Sequence, residues 1–317
     1  MAHIPVLFDE VMEALNIQRG GKYVDGTLGR AGHARGVIAR GGRVLGIDRD
    51  AQALREIGQD RSLRVELGSE ALAGPEALTG VLTTVLGRHS EIERIAKENG
   101  YDEADGILLD LGVSSPQLDE AGRGFSFLRE GPLDMRMSPD GAVTAADIVN
   151  EWDEGEIAKI LWELGEEREA RKIAKAIVRA RAQKRIETTT GLAEVVEKAI
   201  GRRNGKNPAT RTFQALRMQV NDELGELRSA LTGGLNILKP GGRMAIITFE
   251  SLSDRIVKEF FRSHAGKEVS LQAGGSRWEG ELPKVKLVNR KAIIASESEM
   301  NLNPRSRSAK LRVIEKE

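Results

Sequence analysis

Short apolar runs separated by helical stretches open the chain. Lys22-Tyr23-Val24-Asp25 and Arg43-Val44-Leu45-Gly46-Ile47-Asp48 read as strands, followed by helices over Ala34 to Arg40 and Ala51 to Ile57. Leu63 and Val65 suggest a weak third strand, and residues 70–100 read mostly as helix. Gly106-Ile107-Leu108-Leu109-Asp110 is a strongly apolar strand that ends in an acid. Strands apolar on both faces and separated by helices predict a parallel sheet covered on both sides.

After Asp110 the period changes. Residues 116–140 are rich in Gly, Pro, Asp and Arg and predict a long irregular segment. Apolar residues then recur at helical spacing, predicting helices over Thr144 to Val149, Glu154 to Arg185 with a break at Gly165, and Leu192 to Ile200. Thr190 is the expected cap of the last of these and Gly201 its stop. Ile173, Ile177 and Val178 form one apolar face of the middle stretch, opposite a basic one. A loop at Asn204 to Pro208 leads into a long helix expected from about Thr212 to Leu238, ended by Lys239-Pro240-Gly241-Gly242. The strand pattern returns at Arg243 to Phe249, followed by a helix over Ser253 to Ser263 and β-rich pieces at Val285 to Ile294 and Ala309 to Ile314. The sheet is therefore expected to be interrupted by a helical insertion and then resumed.

Composition narrows the chemistry. The 317 residues contain no cysteine, which excludes thiolate metal sites, iron–sulfur clusters and a cysteine nucleophile. The four histidines, His3, His33, His89 and His264, show no ligand spacing, so no protein-bound metal is expected. No run approaches the roughly 20 apolar residues of a membrane span, and Met1-Ala2-His3-Ile4-Pro5 lacks the basic-then-apolar pattern of an export signal. A cytoplasmic location is expected. The 48 basic and 48 acidic residues cancel, but not locally. Ala145 to Ala170 carries nine acidic and two basic residues (−7), Arg171 to Arg217 carries 13 basic and three acidic (+10), and Lys284 to Glu317 carries nine basic and four acidic (+5). Two basic blocks on a neutral chain favour an anionic partner over merely solvated helix faces.

Candidate chemistry gathers at the strand ends. Asp25-Gly26-Thr27-Leu28-Gly29-Arg30-Ala31-Gly32-His33 lies between the first strand and first helix, where glycines let a ligand approach backbone N–H groups. Asp48 follows Gly29 by 19 residues, the place from which an acid in a Rossmann-like sheet accepts ribose hydroxyls. The G-x-x-G-x-x-G spacing is looser than a pyrophosphate needs, which puts S-adenosylmethionine ahead of NAD, with a purely structural turn as the plain alternative. Asp110 leaves its strand into Leu111-Gly112-Val113-Ser114-Ser115-Pro116-Gln117, a strand-terminal acid followed by a Ser-Pro turn, as in methyltransferases that act on exocyclic amines. Such an amine is a poor nucleophile because its lone pair is delocalised into the ring. An acceptor that holds one N–H, either the Asp110 carboxylate or a carbonyl of the Ser114-Ser115 turn, favours pyramidalisation during transfer. Capping of a neighbouring turn by Asp110 is the bland alternative. Methylation of pyrimidine carbon 5 through a cysteine and radical methylation through a cluster both require residues this chain lacks, whereas direct transfer to N or O does not.

These motifs together resemble the bacterial 16S rRNA cytosine-N4 methyltransferases. The resemblance covers nearly the whole chain and runs through His3-x-Pro5-Val6, the Asp25 to His33 turn, Ile47-Asp48-Arg49-Asp50 and the unbroken stretch from Asp105 to Asp119. It continues through Arg123 to Phe127, Gly131 to Met137, Pro208 to Arg217 and Asn303-Pro304-Arg305-Ser306-Arg307-Ser308. It implies an α/β fold, a Rossmann-like class I methyltransferase sheet over residues 1–115 and 210–317 with a mainly helical substrate-recognition insertion over 116–209. It implies S-adenosylmethionine contacts from Ala31, Gly32, His33, Asp48, Asp110 and Gln117. The expected catalytic set is Asp110, Ser114 and Ser115, acting on an unstacked cytidine of the decoding region of 16S rRNA within the small ribosomal subunit. A homodimer stays open.

The chain departs from that family at Ala31, where the family has Gly, at Glu250, where it has His, and at Ser253, where it has an acid. An aromatic cofactor contact expected after the weak third strand is replaced by Gly68-Ser69-Glu70-Ala71. Substrate contacts are expected from Arg171, Lys172 and Lys175 in the basic insertion, and from Arg211, Gln214 and Arg217 along one face of the long helix. A non-catalytic RNA-binding protein on the same scaffold is the rival reading, and an NAD-dependent oxidoreductase is disfavoured by the glycine spacing.

Overall fold

A computed structural model describes residues 5–59, 65–67, 81–113, 118–138, 141–202, 207–270, 276–279 and 282–317, with side chains left aside at 65–67, 267–270 and 276–279. The chain divides into two compact units, Met1–Gly112 with Gly225–Glu317, and Val113–Leu224. The helical unit thus ends at Leu224 rather than at the expected residue 209.

The first unit is built on a sheet that holds eight strands among the described residues. In chain order these are β1 (Lys22–Asp25), β2 (Arg43–Asp48), β3 (Val65–Leu67), β4 (Leu82–Leu86), β5 (Ala104–Asp110), β6 (Leu238–Thr248), β9 (Val285–Leu287) and β10 (Lys310–Lys316). A separate hairpin pairs β7 (Lys267–Ser270) with β8 (Ser276–Glu279). The spatial order is β3-β4-β2-β1-β5-β6-β10-β9. The first six of these are parallel, and β10 and β9 run antiparallel at the far edge. Chain order reverses direction between β1 and β5, the switch point at which open α/β sheets bind ligands.

Alternation along each strand divides the core. Leu108, Ile247 and Leu311 pack on one face with Val11, Val37 and Ile38, from the helices α1 (Phe8–Ala14) and α2 (Gly32–Ala39). Leu109 and Ile246 point to the other face, with Ile47, Ile92, Leu227 and Phe261, where α4 (Ile92–Glu98), α10 (Glu223–Ile237) and α11 (Ser251–His264) lie. The remaining helix on the strand-two side is α3 (Ala51–Gly58), capped by the Asp50 side chain on the Gln52 N–H at 2.9 Å.

The expectation of helix across 70–100 is corrected by β4. Leu82-Thr83-Thr84-Val85-Leu86 pairs with β2 over five residues. A short run of this kind carries too few residues for its period to separate strand from helix. β3, at Val65–Leu67, becomes the edge strand next to β4.

The second unit contains α5 (Ala145–Glu151), α6 (Glu154–Glu163), α7 (Ala170–Gln183), α8 (Thr189–Ile200) and α9 (Thr210–Val220). Its own core includes Leu133, Met135, Ile148, Ile157, Leu161, Ile173, Ile177, Leu192 and Phe213. Thr144 and Asp147 cap α5 reciprocally, the Thr144 N–H donating to Asp147 Oδ2 at 2.8 Å and the Asp147 N–H to Thr144 Oγ1 at 3.2 Å. The chain does break at Gly165, where a Cβ would lie 2.7 Å from the Arg211 carbonyl oxygen. Thr188, not Thr190, caps α8 through the Gly191 N–H at 3.1 Å, and Gly201 follows with φ 73°.

The single long helix expected from Thr212 to Leu238 is two helices. Asn221 stops α9 by turning its amide onto a neighbouring loop. Its Oδ1 accepts from the Met137 N–H at 2.8 Å, and its Nδ2 donates to the Met135 carbonyl at 2.8 Å. Asp222 then takes φ 45°, outside helical space.

Candidate functional site

Three parallel strands end in carboxylates at one edge of the first unit, β1 in Asp25, β2 in Asp48 and β5 in Asp110. The turn after β1 ties them together. The Thr27 N–H donates to Asp25 Oδ1 at 3.1 Å, while Thr27 Oγ1 accepts the Asp110 N–H at 2.6 Å. One residue thereby joins the ends of β1 and β5. The Gly29 N–H donates to Asp48 Oδ2 at 2.7 Å, and the Asp50 N–H to Asp48 Oδ1 at 2.8 Å. Those two bonds fix the carboxylate at the tip of β2 while leaving lone pairs over.

The glycines have separate duties. At Gly26 a Cβ would run into Leu109, and at Gly32 it would lie 2.6 Å from Pro5 Cγ, so both are sites of close approach. Gly29 has φ 51° and Ala31 φ 59°. Left-handed backbone costs an L residue roughly 1–2 kcal/mol, a strain that Ala31 bears and glycine would not.

Electrostatics distinguish this edge from the rest of the unit. Burial, and then the charge of Asp25, push Asp110 up to about 7. Burial also pushes Asp25 up to about 7, with Asp48 adding to the rise and the Thr27 N–H opposing it. Asp48 is raised as well, again chiefly by burial. Asp110 Oδ1 has no accessible surface and no hydrogen-bond partner, although the side chain as a whole is 26% exposed. Buried acceptors left over in this way mark a place where a ligand completes the bonding.

His33, in the first turn of α2, is buried and stacked against Phe8 with ring centroids 6.1 Å apart. Its Nε2 lies 2.9 Å from the Val6 carbonyl oxygen. A carbonyl only accepts, so Nε2 is the donor there, and Nδ1 lies on the side of Asp110, 3.9 Å from its Oδ2. The segment Pro5 to Leu7 thus walls the site, and the Leu7 N–H is held in turn by Glu299 Oε1 at 2.8 Å, on the helix α12 (Glu297–Leu302).

Ala31, Gly32, His33, Asp48 and Asp110 are therefore gathered at one edge. Ser114, Ser115 and Gln117 lie outside the described residues, as do Gly68 to Ala71. His89 was missed by sequence reasoning. It follows the carboxyl end of β4, beside Asp48, since the Gly87 N–H donates to the Asp48 carbonyl at 2.9 Å. Its Cβ is 3.5 Å from where a Cβ on Gly26 would stand. Burial holds its ring well below the usual range, at about 4, helped by the Arg49 and Arg88 charges and opposed by Glu226, so the ring is neutral at pH 7. An aromatic ring thus stands after β4, the strand beside β2.

On α7 of the second unit, Arg171, Lys172 and Lys175 are exposed. Three of the expected substrate contacts are instead engaged within that unit. Arg217 forms a fork with Glu223 at 2.7 and 2.8 Å. Arg211 donates to the Glu166 carbonyl at 2.9 Å and Gln214 to that of Leu164 at 3.2 Å. These bonds hold α9 against the turn after α6, so the set proposed for substrate narrows to the three residues of α7. In the first unit, Asp254 rather than residue 253 supplies the acid at the start of α11, accepting from Arg312 at 2.6 and 3.1 Å and from Lys310 at 3.3 Å. Among the described residues no group of three His, Asp or Glu side chains is arranged to hold a metal, and no helix is long and apolar enough to cross a membrane.

A parallel sheet with its switch point beside β1, a glycine turn and acids ending β1, β2 and β5 define a Rossmann-like protein of the class I methyltransferase kind. Residues 1–317 match the model of the MraW methylase family, and the chain belongs to that family. It is 46% identical over 329 residues to the ribosomal RNA small subunit methyltransferase H of Heliobacterium mobile, covering 99% of this chain and 98% of the relative. It is 48% identical over 320 residues to the protein of the same name from Methylobacterium nodulans, covering 99% and 90%. Among solved structures, an rRNA methylase from Streptococcus thermophilus aligns over 99% of both chains at 12% identity and a TM-score of 0.39.

Proposed function

We propose that this chain methylates N4 of a cytidine in the decoding region of 16S rRNA, using S-adenosylmethionine and direct in-line transfer without a covalent intermediate. The observation that carries the reading is the buried, unpartnered Asp110 Oδ1 at the switch point of a methylase sheet.

The residues fit the donor. Buried carboxyls raised toward neutrality by burial and by one another lack compensating positive charge, and a cationic ligand over them would return them to the ionised form. When bound, S-adenosylmethionine supplies an electrophilic methyl on a sulfonium. Asp48 would accept its ribose hydroxyls, the Ala31-Gly32-His33 backbone would border it, and the neutral His89 ring would give an apolar contact on the β4 side. Gln117 remains part of the proposed cofactor set.

Asp110 acts on the amine. Its partly exposed carboxylate accepts one N–H of the exocyclic nitrogen and turns the lone pair out of the ring plane, a role a carbonyl of Ser114 or Ser115 would share. As the nitrogen would take the methyl, the methyl–sulfur bond would break with its electron pair left on sulfur, and the nitrogen would shed a proton. Asp110, whose burial favours the protonated form once the positive charge beside it is gone, takes it. The exposed Arg171, Lys172 and Lys175 would hold RNA phosphates, and the target base would flip out of its stack. Assembled small subunits are the favoured substrate.

Radiolabelled methyl transfer to small subunits and to naked 16S rRNA, with the modified atom mapped, tests the proposal. Label on N4 of one decoding-region cytidine is expected. Label on another atom, or salt-dependent RNA binding with no transfer, overturns it.

A further inference from the structure

We infer that Arg307 is a phosphate-binding residue for the RNA substrate, fixing the nucleotide chain at the same sheet edge as Asp110. The inference rests on the RNA-methylating reading above and adds to it a positioning residue in the methyltransferase unit, outside the helical insertion.

The backbone of Asn303 to Ser308 is firmly built. The Asn303 side chain accepts the Arg305 N–H at 3.3 Å, Ser306 Oγ donates to the Asn303 carbonyl at 2.8 Å, and the Ala309 N–H to the Ser306 carbonyl at 3.0 Å. Ser306 is fully buried and Ala309 nearly so. The result is a short 3-10 turn over Pro304–Ser308 from which the Arg307 side chain emerges into solvent.

That turn delivers the chain into β10 at the ligand-binding edge. Lys310, the first residue of β10, pairs with Thr248, the last of β6. Leu311, Ile247 and Asp110 share one row across three strands. Two strand spacings of about 4.8 Å place Leu311 on the order of 10 Å from Asp110. Arg307 therefore leaves the backbone close to the carboxyl edge, on the flank of the acid that meets the target base.

Charge accounting singles out this residue. Lys310 and Arg312 are both neutralised by the buried Asp254. Arg307 has no acidic partner among the described residues. A fork-shaped, permanently charged guanidinium on a rigid turn, beside a strand end whose two cations, Lys310 and Arg312, are already paired, suits a phosphate oxygen pair rather than internal structure. An RNA phosphate next to the flipped nucleotide supplies that anion, and such contacts set register without reading sequence.

The full-length protein and its Arg307→Ala and Arg307→Lys variants would be compared for binding to 16S rRNA across a potassium chloride series, for kcat and KM in methyl transfer, and for S-adenosylmethionine affinity by calorimetry. Arg307→Ala is expected to raise KM for RNA about tenfold, to lower the salt slope by about one phosphate's worth, roughly 0.7–0.9, and to leave cofactor affinity unchanged. Arg307→Lys is expected to restore the slope and part of KM. A wild-type KM and slope in Arg307→Ala overturns the assignment, as does a fall in kcat alone. A wild-type protein that shows no salt-dependent RNA binding would instead remove the RNA-methylating reading itself.

Discussion

Asp110 and Asp25 end neighbouring parallel strands with carboxyls pushed up to about 7, chiefly by burial. Because both values lie above those of the unfolded chain, the folded state binds the extra protons. The stability this gives is fully present below about pH 4 and is lost as pH rises through about 7. Asp110→Asn should therefore melt at a higher temperature than wild type at pH 8, with the gap closing toward pH 5, while methyl transfer falls about 100-fold or more. Thermal melts across that range check the first part and a transfer assay the second. The same repulsion makes cofactor affinity depend on pH. A sulfonium near these groups favours their ionised forms, so binding should tighten as pH rises from 6 to 8 and release protons. Calorimetry in buffers of different ionisation enthalpy measures that release, and its absence would count against a cation over Asp110. Asp48 and Asp110 were legible as functional acids because each closes an apolar strand in the sequence. His33 was legible only through its motif. His89 was not, since its place depends on a strand that its own residues do not announce.

At the scale of elements, the strand–helix alternation, the insertion and the returning strand at Arg243 follow from apolar spacing alone. Two features did not. β4 is five residues long, and its assignment comes from pairing with β2 and with β3 rather than from its own pattern. The break between α9 and α10 rests on one side chain satisfying a loop 84 residues away in sequence, which no local propensity encodes. Asn221→Ala should leave the Met137 N–H and Met135 carbonyl without partners in a buried setting. The expected cost is about 2–3 kcal/mol, read as a lowered midpoint in urea unfolding. A change below about 0.5 kcal/mol would show that the helix break is held by other contacts.

For the whole molecule, a formal charge of zero conceals a sorted distribution. The +10 stretch includes α7, and the −7 stretch includes α5 and α6, all in the helical unit. Replacing Arg171, Lys172 and Lys175 together by Gln should weaken RNA binding at low salt at least tenfold and flatten its salt dependence. A filter-binding series at several salt concentrations would show this, and an unchanged slope would exclude α7 as the docking face.

The wall of the site also carries a consequence for how the protein comes to be. Its inner surface uses Pro5 to Leu7, but Leu7 is held by Glu299, and Asp110 is level with Leu311 across β6. Translation delivers these partners in order, hundreds of residues apart. Until Glu299 and β10 have emerged, the Leu7 N–H lacks its carboxylate partner and β6 has an open edge. The wall and the sheet around the site are thus completed only when nearly all of the chain up to Leu311 has been synthesised.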